Sequence, residues 1–140
     1  MTRSHVFLSA AAALLLWPLV VGAQLAVTIS PVQATGSKAI VPLTMKNGFA
    51  ERIQSARAVC FLLDDQGKMV GQASRWIIGG TGDKAGLAAG GTNAFNFVVA
   101  AARPFTSKNL TAKLSLSRVL LEGGKLADVN KEVQIQNTDK

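Results

Sequence analysis

Two adjacent carboxylates, Asp64 and Asp65, are the first residues whose types and spacing suggest chemistry. They begin the run Asp-Asp-Gln-Gly, which resembles the start of a calcium-binding loop. An EF-hand loop needs alternating oxygen ligands and a glutamate at its twelfth position, where this chain has Arg75. Neighbouring side chains at a strand end also point to opposite sides, which suits an acid–base pair poorly. We therefore predict that these carboxylates accept hydrogen bonds from backbone N–H groups of a turn, and we predict no metal ligands.

A glycine-rich segment, residues 79–91, is the second candidate, because glycine loops can hold phosphate groups. It contains six glycines, but it lacks the order G-x-x-x-x-G-K-[ST]. No helix is predicted after it to supply free N–H groups to an anion. We interpret it as a connecting loop of a β-sandwich, with Leu87 as its one sizeable apolar anchor.

Histidine chemistry is nearly absent, since the chain has one histidine, His5, and no tyrosine. His5 lies in an N-terminal segment that we expect to be removed. Without it there is no histidine for a general base, a catalytic triad or a typical zinc site. We predict that the protein is not an enzyme, with no catalytic residues and no cofactor.

The N-terminal segment has the pattern of a secretion signal. One positive charge, Arg3, precedes the apolar run 6–21, and the small residues Gly22 and Ala23 follow it. This pattern predicts cleavage between Ala23 and Gln24. The run is shorter than the roughly 20 residues that span a membrane, so no transmembrane segment is expected after cleavage. We predict a bacterial protein that is periplasmic or secreted.

The remaining chain is basic, with 14 lysines and arginines against 8 acidic residues and a formal charge of +6 once Arg3 is removed. The basic residues are scattered, whereas nucleic-acid binding needs clustered charge with stacking aromatics. We expect no nucleic acid, and an anionic envelope surface stays open as a partner. The single cysteine, Cys60, lies in an apolar run and is predicted to be a small buried residue.

Arg75 and Trp76 form the most informative local pair, because tryptophan and arginine are the residue types that most often anchor interfaces. One interpretation places Trp76 in the core between two sheets, with Arg75 in water, and this is the preferred one. The other makes Arg75 and Trp76 contacts to a partner. Arg57 is expected near Arg75 across a hairpin, so the candidate partner contacts are Arg57, Arg75 and Trp76.

Glycine and proline divide the chain after residue 23 into short segments that alternate or are rich in β-branched residues. The predicted strands are residues 25–29, 38–46, 53–63, 73–78, 92–100, 110–121 and 126–135, with the chain restarting at 69–71 before the return strand 73–78. Segment 53–63 is expected to be central, and Pro42 predicts an edge or bulged position for 38–46. Turns are predicted at Asn47-Gly48, at 64–68 and at 122–125.

These elements predict an all-β protein, an immunoglobulin-like antiparallel β-sandwich of about seven to eight strands behind a signal peptide helix. A small β-barrel is the structural alternative. The predicted boundaries are residues 1–23 for the signal, 24–136 for the sandwich domain and 137–140 for a polar tail.

Four short motifs occur in order between residues 38 and 100. Lys46-Asn47 ends an early strand, and the segment 58–70, AVCFLLDDQGKMV, has a strand ending in aspartate followed by a D-x-x-G-K-x-V turn. Segment 87–90 is LAAG, and the strand that follows contains FNF at 95–97. In these motifs residues 38–100 resemble the bacterial FxLYD-like, immunoglobulin-like domains, whose loop has the form L-x-P-G where this chain has LAAG. The resemblance implies an extracytoplasmic, non-catalytic sandwich module, and it transfers no catalytic residue.

The predicted function is an exported non-catalytic module for protein binding or for envelope or surface assembly. Its expected partner is an unidentified protein or a second copy of the chain. A small extracytoplasmic ligand carrier is the alternative, motivated by the basic charge and by a strand, 58–63, that is apolar on both faces.

Overall fold

The computed structural model describes residues 24–80 and 85–138. The predicted signal segment 1–23, with Ala23, lies outside the described residues, as do 81–84 of the glycine-rich loop and 139–140 of the polar tail. Within the described ranges, no helix is long and apolar enough to cross a membrane.

Nine strands form two sheets, and the described residues contain no helix. The strands are β1 Leu25–Ile29, β2 Gln33–Thr35, β3 Lys38–Asn47, β4 Ile53–Leu63, β5 Met69–Gly79, β6 Thr92–Ala100, β7 Thr111–Leu121, β8 Lys125–Leu126 and β9 Val133–Asn137. Because both strand orders are open rather than closed on themselves, the fold is a β-sandwich, as predicted, and not the alternative barrel. The last predicted strand is two strands, β8 and β9, separated by a turn at 127–132, and β9 reaches one residue into the predicted tail.

Sheet A contains β1, β2, β3, β6 and β9. Strand β3 pairs with β6 along one side, from Lys38 opposite Ala100 to Lys46 opposite Thr92. On its other side β3 pairs with β2 and then with β1. Strand β9 runs parallel to β1, with Leu25 opposite Val133, so the prediction of a purely antiparallel sandwich is wrong for this pair.

Pro42 does not place β3 at an edge, contrary to the prediction, because β3 has partners on both sides. On the side of β1 and β2, the pairing with β2 reaches Ile40 and the pairing with β1 reaches Leu43, so Pro42 lies between the two paired segments. The Pro42 carbonyl accepts a hydrogen bond from Ser30 N, just beyond the end of β1. The N and C=O of one strand residue face the same side, so the missing N–H of Pro42 also faces Ser30 and the β3–β6 ladder on the other side is unaffected.

Sheet B has the order β5-β4-β7-β8, so β4 is central, as predicted. Its inner residues Ala58, Cys60 and Leu62 are fully buried, whereas the outer residues Val59 and Phe61 are half-buried. The strand is therefore covered on one face only among the described residues.

The core lies between the sheets and follows the alternation of the strands. Its largest fully buried side chains include Phe97, Leu43 and Ile29 of sheet A and Ile53 and Leu62 of sheet B. Burial of each such side chain contributes about 1.5–3 kcal/mol. With no disulfide available to a lone cysteine, this packing carries the stability of the domain.

Candidate interaction surface

The charged side chains of the described residues are segregated between strands and turns. Strands of sheet A carry Lys38 and Lys46, and those of sheet B carry Arg57, Arg75, Lys113, Arg118 and Lys125. Every aspartate and glutamate in the described ranges lies in a connection between strands. The charged residues of the strands are therefore all cationic, and sheet B carries most of them. One of these, Lys125, is paired with Glu51 of a connection at 3.6 Å.

Trp76 lies on the outer face of sheet B, directly opposite Arg57 in the β4–β5 register. The Arg57 guanidinium carbon stands 5.2 Å from the centre of the Trp76 ring, which is a cation–π geometry. Trp76 is half-buried and is not part of the core cluster. The prediction that it fills the space between the sheets is wrong.

The backbone beside Trp76 approaches the ring closely at Gly80. Gly80 has φ +98°, and a Cβ atom added there would collide with the Trp76 side chain. A glycine is needed at this position both for the backbone angle and for the space. The chain thus covers one side of the ring, while Arg57 lies over its face.

Arg118 of β7 extends this surface, because it lies opposite Arg57 on the side away from Trp76. A bulge in β7 is held there by Ser117, whose hydroxyl donates to the Arg57 carbonyl at 3.2 Å. Further along the same face, Leu120 lies opposite Leu126 of β8, which is 58% exposed. We call Arg57, Trp76, Arg118 and Leu126 the outer-face cluster. Sequence reasoning missed Arg118 and Leu126, since only strand pairing brings them beside Trp76.

Arg75 does not join this cluster. It lies opposite Ala58, a core-facing residue, so its side chain starts on the inner face of sheet B. Its Nε donates to the carbonyl oxygen of Val98 in β6 at 2.9 Å. Arg57 and Arg75 are therefore close along the β4–β5 hairpin but start on opposite faces of sheet B, and Arg75 links the edges of the two sheets.

A second surface feature lies at the opposite margin of the sandwich, between β7 and β9. A cleft of about 380 Å³ is lined there by Ile29, Lys113, Leu114, Ser115, Ile135 and Asn137, together with Phe61 and Ala112. A cleft of about 270 Å³ continues it past Ala112 and Asn137 to Lys108. A separate cleft of about 330 Å³ lies beside Phe105 and Val70.

Asn47 is a buried polar residue that sequence reasoning placed in a short turn, Asn47-Gly48. The chain here crosses from sheet A to sheet B rather than forming a hairpin. The Asn47 side chain is fully buried, donates to the carbonyls of Glu51 and Leu87 at 2.9 Å, and accepts from Phe49 N at 2.8 Å. It anchors the crossover to the glycine-rich loop, and its only sequence signal is the strand-ending Lys46-Asn47 pair.

Asp64 accepts backbone hydrogen bonds in the carboxylate turn, as predicted for it. Asp64 Oδ1 accepts hydrogen bonds from Gln66 N and Lys68 N, both at 2.9 Å. These backbone donors hold the pKa of the Asp64 carboxyl below its usual value. Gly67 has φ +78°, as the turn requires. Among the described residues, no three His, Cys, Asp or Glu side chains are grouped as metal ligands.

Cys60 is fully buried, as predicted. Burial raises the pKa of its thiol from 9.0 to about 11, because the thiolate would lose its hydration. The thiol is therefore a small packing group of the inner face and a poor nucleophile.

Comparison with known proteins supports the fold of this chain but does not assign it to a family. No family model matches the sequence, and no curated protein matches it. The chain is similar in structure to a Bordetella pertussis protein provisionally named ApaA, with a TM-score of 0.56 and 16% sequence identity. The superposition covers 77% of this chain and 88% of that protein. At this identity the likeness shows the sandwich fold alone.

Proposed function

We propose that this chain is a non-catalytic binding module that acts outside the cytoplasm and recognises a protein partner through the outer-face cluster of sheet B. The observation that carries the proposal is Trp76, a large aromatic side chain outside the core and beneath Arg57. Tryptophan and arginine contribute most to binding energy in interfaces. The cation–π contact holds both side chains in place before binding, which lowers the entropy lost on association.

The chemistry of this surface favours an acidic partner. Arg57 and Arg118 lie side by side in the register, and the strands of sheet B contain no acidic residue to neutralise them. A two-fold contact of this face with a second copy would bring the same arginines together. Like-charge contact disfavours that arrangement, so an acidic protein surface is a better occupant than a second copy.

Location and family are parts of the same proposal. The apolar run 6–21 and the small residues before Gln24 support export. The resemblance of residues 38–100 to FxLYD-like domains supports an extracytoplasmic module, and the sandwich is the fold that this family implies. The lone His5 supports a non-catalytic role, since it lies within the predicted signal.

The ligand-carrier alternative has less support. A carrier needs an internal cavity, whereas the space between these sheets holds fully buried side chains such as Phe97, Leu43 and Leu62. Native mass spectrometry of freshly isolated protein separates the two functions. A copurifying small molecule would favour the carrier.

Capture of partners from the cell envelope tests the proposed function. The full-length chain is immobilised and exposed to envelope extract of the source cells, and bound proteins are quantified by mass spectrometry. We compare it with Trp76→Ala and with a control, Thr44→Ala, which alters an exposed residue on the outer face of sheet A. A specific partner should be lost about tenfold or more with Trp76→Ala and kept by the control.

Equal recovery of the same proteins by all three chains would contradict the proposal. Circular dichroism checks that Trp76→Ala retains the sandwich, which is expected because Trp76 lies outside the core cluster. Binding to anionic lipid vesicles in place of any protein would assign the face to a membrane surface instead.

A further inference from the structure

Strand β7 has a long free edge on the side away from β4. Its only other partner in the part of the chain that the structure describes is β8, which pairs with Leu120 and Leu121. The last backbone bond on that side runs from Ala127 N to Val119 O at 2.9 Å. Within the described residues, segment 111–118 has no strand beside it on this side. Alternate N–H and C=O groups of an edge strand point outward and can pair with another chain.

The cause is a tight turn that takes the chain away from β7. Asp128 accepts hydrogen bonds at its carbonyl from Lys131 N and Glu132 N, and at its carboxylate from Asn130 N. The Glu132 carboxylate accepts from Asp128 N at 2.7 Å. This turn carries the chain across to sheet A, where it becomes β9 beside β1. The position next to 111–118, in line with β8, is left without a strand.

A groove accompanies the first half of this edge. The β7–β9 cleft is lined by Leu114 of β7 and by Ile29 and Ile135 of sheet A. The second cleft shares Ala112 and Asn137 with it and continues toward Lys108 with a more polar lining. The groove therefore runs beside residues 108–115 and is apolar near Leu114. Eight residues of extended chain span about 26 Å. A strand beside β7 would direct every second side chain into this groove.

The added strand would direct its remaining side chains outward, and the charge of β7 indicates which types they would be. Lys113 lies opposite Phe61 and Arg118 opposite Arg57, which places both cations on the outer face of β7. The strands that border the groove, β1, β7 and β9, contain no acidic residue. Opposite charges on neighbouring strands attract, and like charges repel. Acidic residues facing outward therefore complement this edge.

We propose that the β7 edge, residues 111–118, binds an extended segment of the partner protein by strand addition, and that this segment alternates apolar with acidic residues. The apolar residues would enter the groove between β7 and β9, and the acidic residues would lie beside Lys113 and Arg118. Backbone hydrogen bonds supply affinity in this binding mode, and the alternate side chains supply specificity. The inference rests on the proposed binding function, and it names the conformation and chemistry of the partner segment.

A synthetic peptide tests the inference without altering the fold. The probe is a fluorescent nine-residue peptide that alternates valine with glutamate, and its binding to the full-length chain is measured by anisotropy. Two further copies are N-methylated, one at the odd and one at the even residues. Strand addition uses the N–H groups of one edge only, so one methylated peptide should bind at least about tenfold more weakly while the other retains binding.

Charge-reversal variants test the role of Lys113, and hydrogen exchange tests where the peptide binds. Lys113→Glu should weaken binding of the peptide by about threefold to tenfold, whereas the control Lys46→Glu, on the outer face of sheet A, should leave it unchanged. A peptide with lysine in place of glutamate should bind Lys113→Glu more tightly than it binds the parent chain. Hydrogen exchange should show new protection at residues 111–118. Absence of binding, equal binding of both methylated peptides, or protection elsewhere would overturn the inference.

Trp76→Ala separates this inference from the proposed function, because it changes the outer-face cluster and leaves the β7 backbone intact. Envelope capture that depends on Trp76, together with a failed peptide test, would overturn strand addition alone. A second outcome is that only one methylated peptide binds and that Trp76→Ala captures the same proteins as the parent chain. It would support strand addition at β7 and contradict binding through the outer-face cluster.

Discussion

The two margins of the sandwich differ in how their edges are treated. At the β5–β6 margin, the Arg75 side chain reaches from sheet B and donates to the Val98 carbonyl on the free edge of β6. At the β7–β9 margin, no described side chain bridges the sheets in this way, and a groove of about 380 Å³ lies between them. One edge is thus protected by an intramolecular hydrogen bond, and the other offers its backbone to solvent.

The fold is therefore formed with one of its edges left open. Exposed edges carry a risk of uncontrolled pairing, which lysine and arginine residues reduce. Lys113 and Arg118 give the open margin that protection against identical chains. The same charges leave it accessible to a strand of opposite charge.

The largest predicted effect is a difference in unfolding free energy between core substitutions at the two margins. Phe97 of β6 is fully buried at the closed margin, and Leu114 of β7 is half-buried at the open one. Phe97→Ala should reduce the free energy of unfolding by about 3–5 kcal/mol. Leu114→Ala should cost about 1–2 kcal/mol, because its side chain already meets solvent and leaves a smaller cavity. Urea unfolding measures both, and equal losses would show that the open margin is as tightly packed as the closed one.

The next effect concerns the anchor at the end of the closed margin. Asn47→Ala removes three hydrogen bonds from a fully buried side chain, leaving Phe49 N and the Leu87 carbonyl without that partner. We expect a loss of about 2–3 kcal/mol in the free energy of unfolding. Asn96→Ala, an exposed asparagine on β6, is the control and should change it by less than about 0.5 kcal/mol. A small loss at Asn47 would show that water replaces these bonds.

Cys60 lies in the central strand β4, and its thiol makes the stability of the protein depend on pH. Burial raises its pKa from 9.0 to about 11, so the folded state favours the neutral thiol. Its contribution to stability is complete below pH 9 and is lost as pH rises from 9 through about 11. Urea unfolding at pH 8 and pH 10.5 should show this loss in the parent chain and not in Cys60→Ala. At pH 8 a thiol reagent should react about a hundredfold more slowly with native protein than with a free thiol. Fast reaction would mean that sheet B opens locally.

The smallest predicted effect comes from removing the hydrogen bond between Arg75 and Val98 at the β5–β6 margin. Arg75→Met keeps much of the apolar stem and removes the hydrogen bond to Val98, and we expect a loss of about 0.5–1 kcal/mol in the free energy of unfolding. Arg57→Met removes the cation–π contact on the outer face and should cost a similar amount. Hydrogen exchange tells them apart, since only Arg75→Met should speed the exchange of outward-facing amides in β6. Unchanged exchange in β6 would show that Arg75 does not protect that edge.

Sequence alternation was sufficient to predict most strands, the burial of Cys60 and the Asp64 turn, because these depend on local pattern. Strand pairing was not predictable in the same way. The parallel β1–β9 pair depends on where a turn at residues 128–132 directs the chain. Such a contact joins residues more than 100 positions apart and leaves no local signal.

Trp76 shows how one residue can reverse a local prediction. Between Ala56 opposite Ile78 and Arg57 opposite Trp76, strand β5 contains one extra residue, Ile77. A bulge of this kind exchanges the two faces of a strand. Ile77 and Ile78 are both buried, Trp76 faces outward, and Arg75 starts on the inner face. The sequence drew attention to Arg57 and Trp76 but could not show where the bulge lies.

The separation of charge between strands and turns determines how salt would act on binding. Every described aspartate and glutamate lies in a connection, and the strands carry only lysine and arginine. Dissolved salt screens charges at a protein surface over a distance of about 8–10 Å. Added salt would therefore weaken the attraction between the cationic strands and an acidic ligand, while contacts made through apolar side chains would be kept. The salt dependence of binding would thus measure how much of the affinity comes from charge.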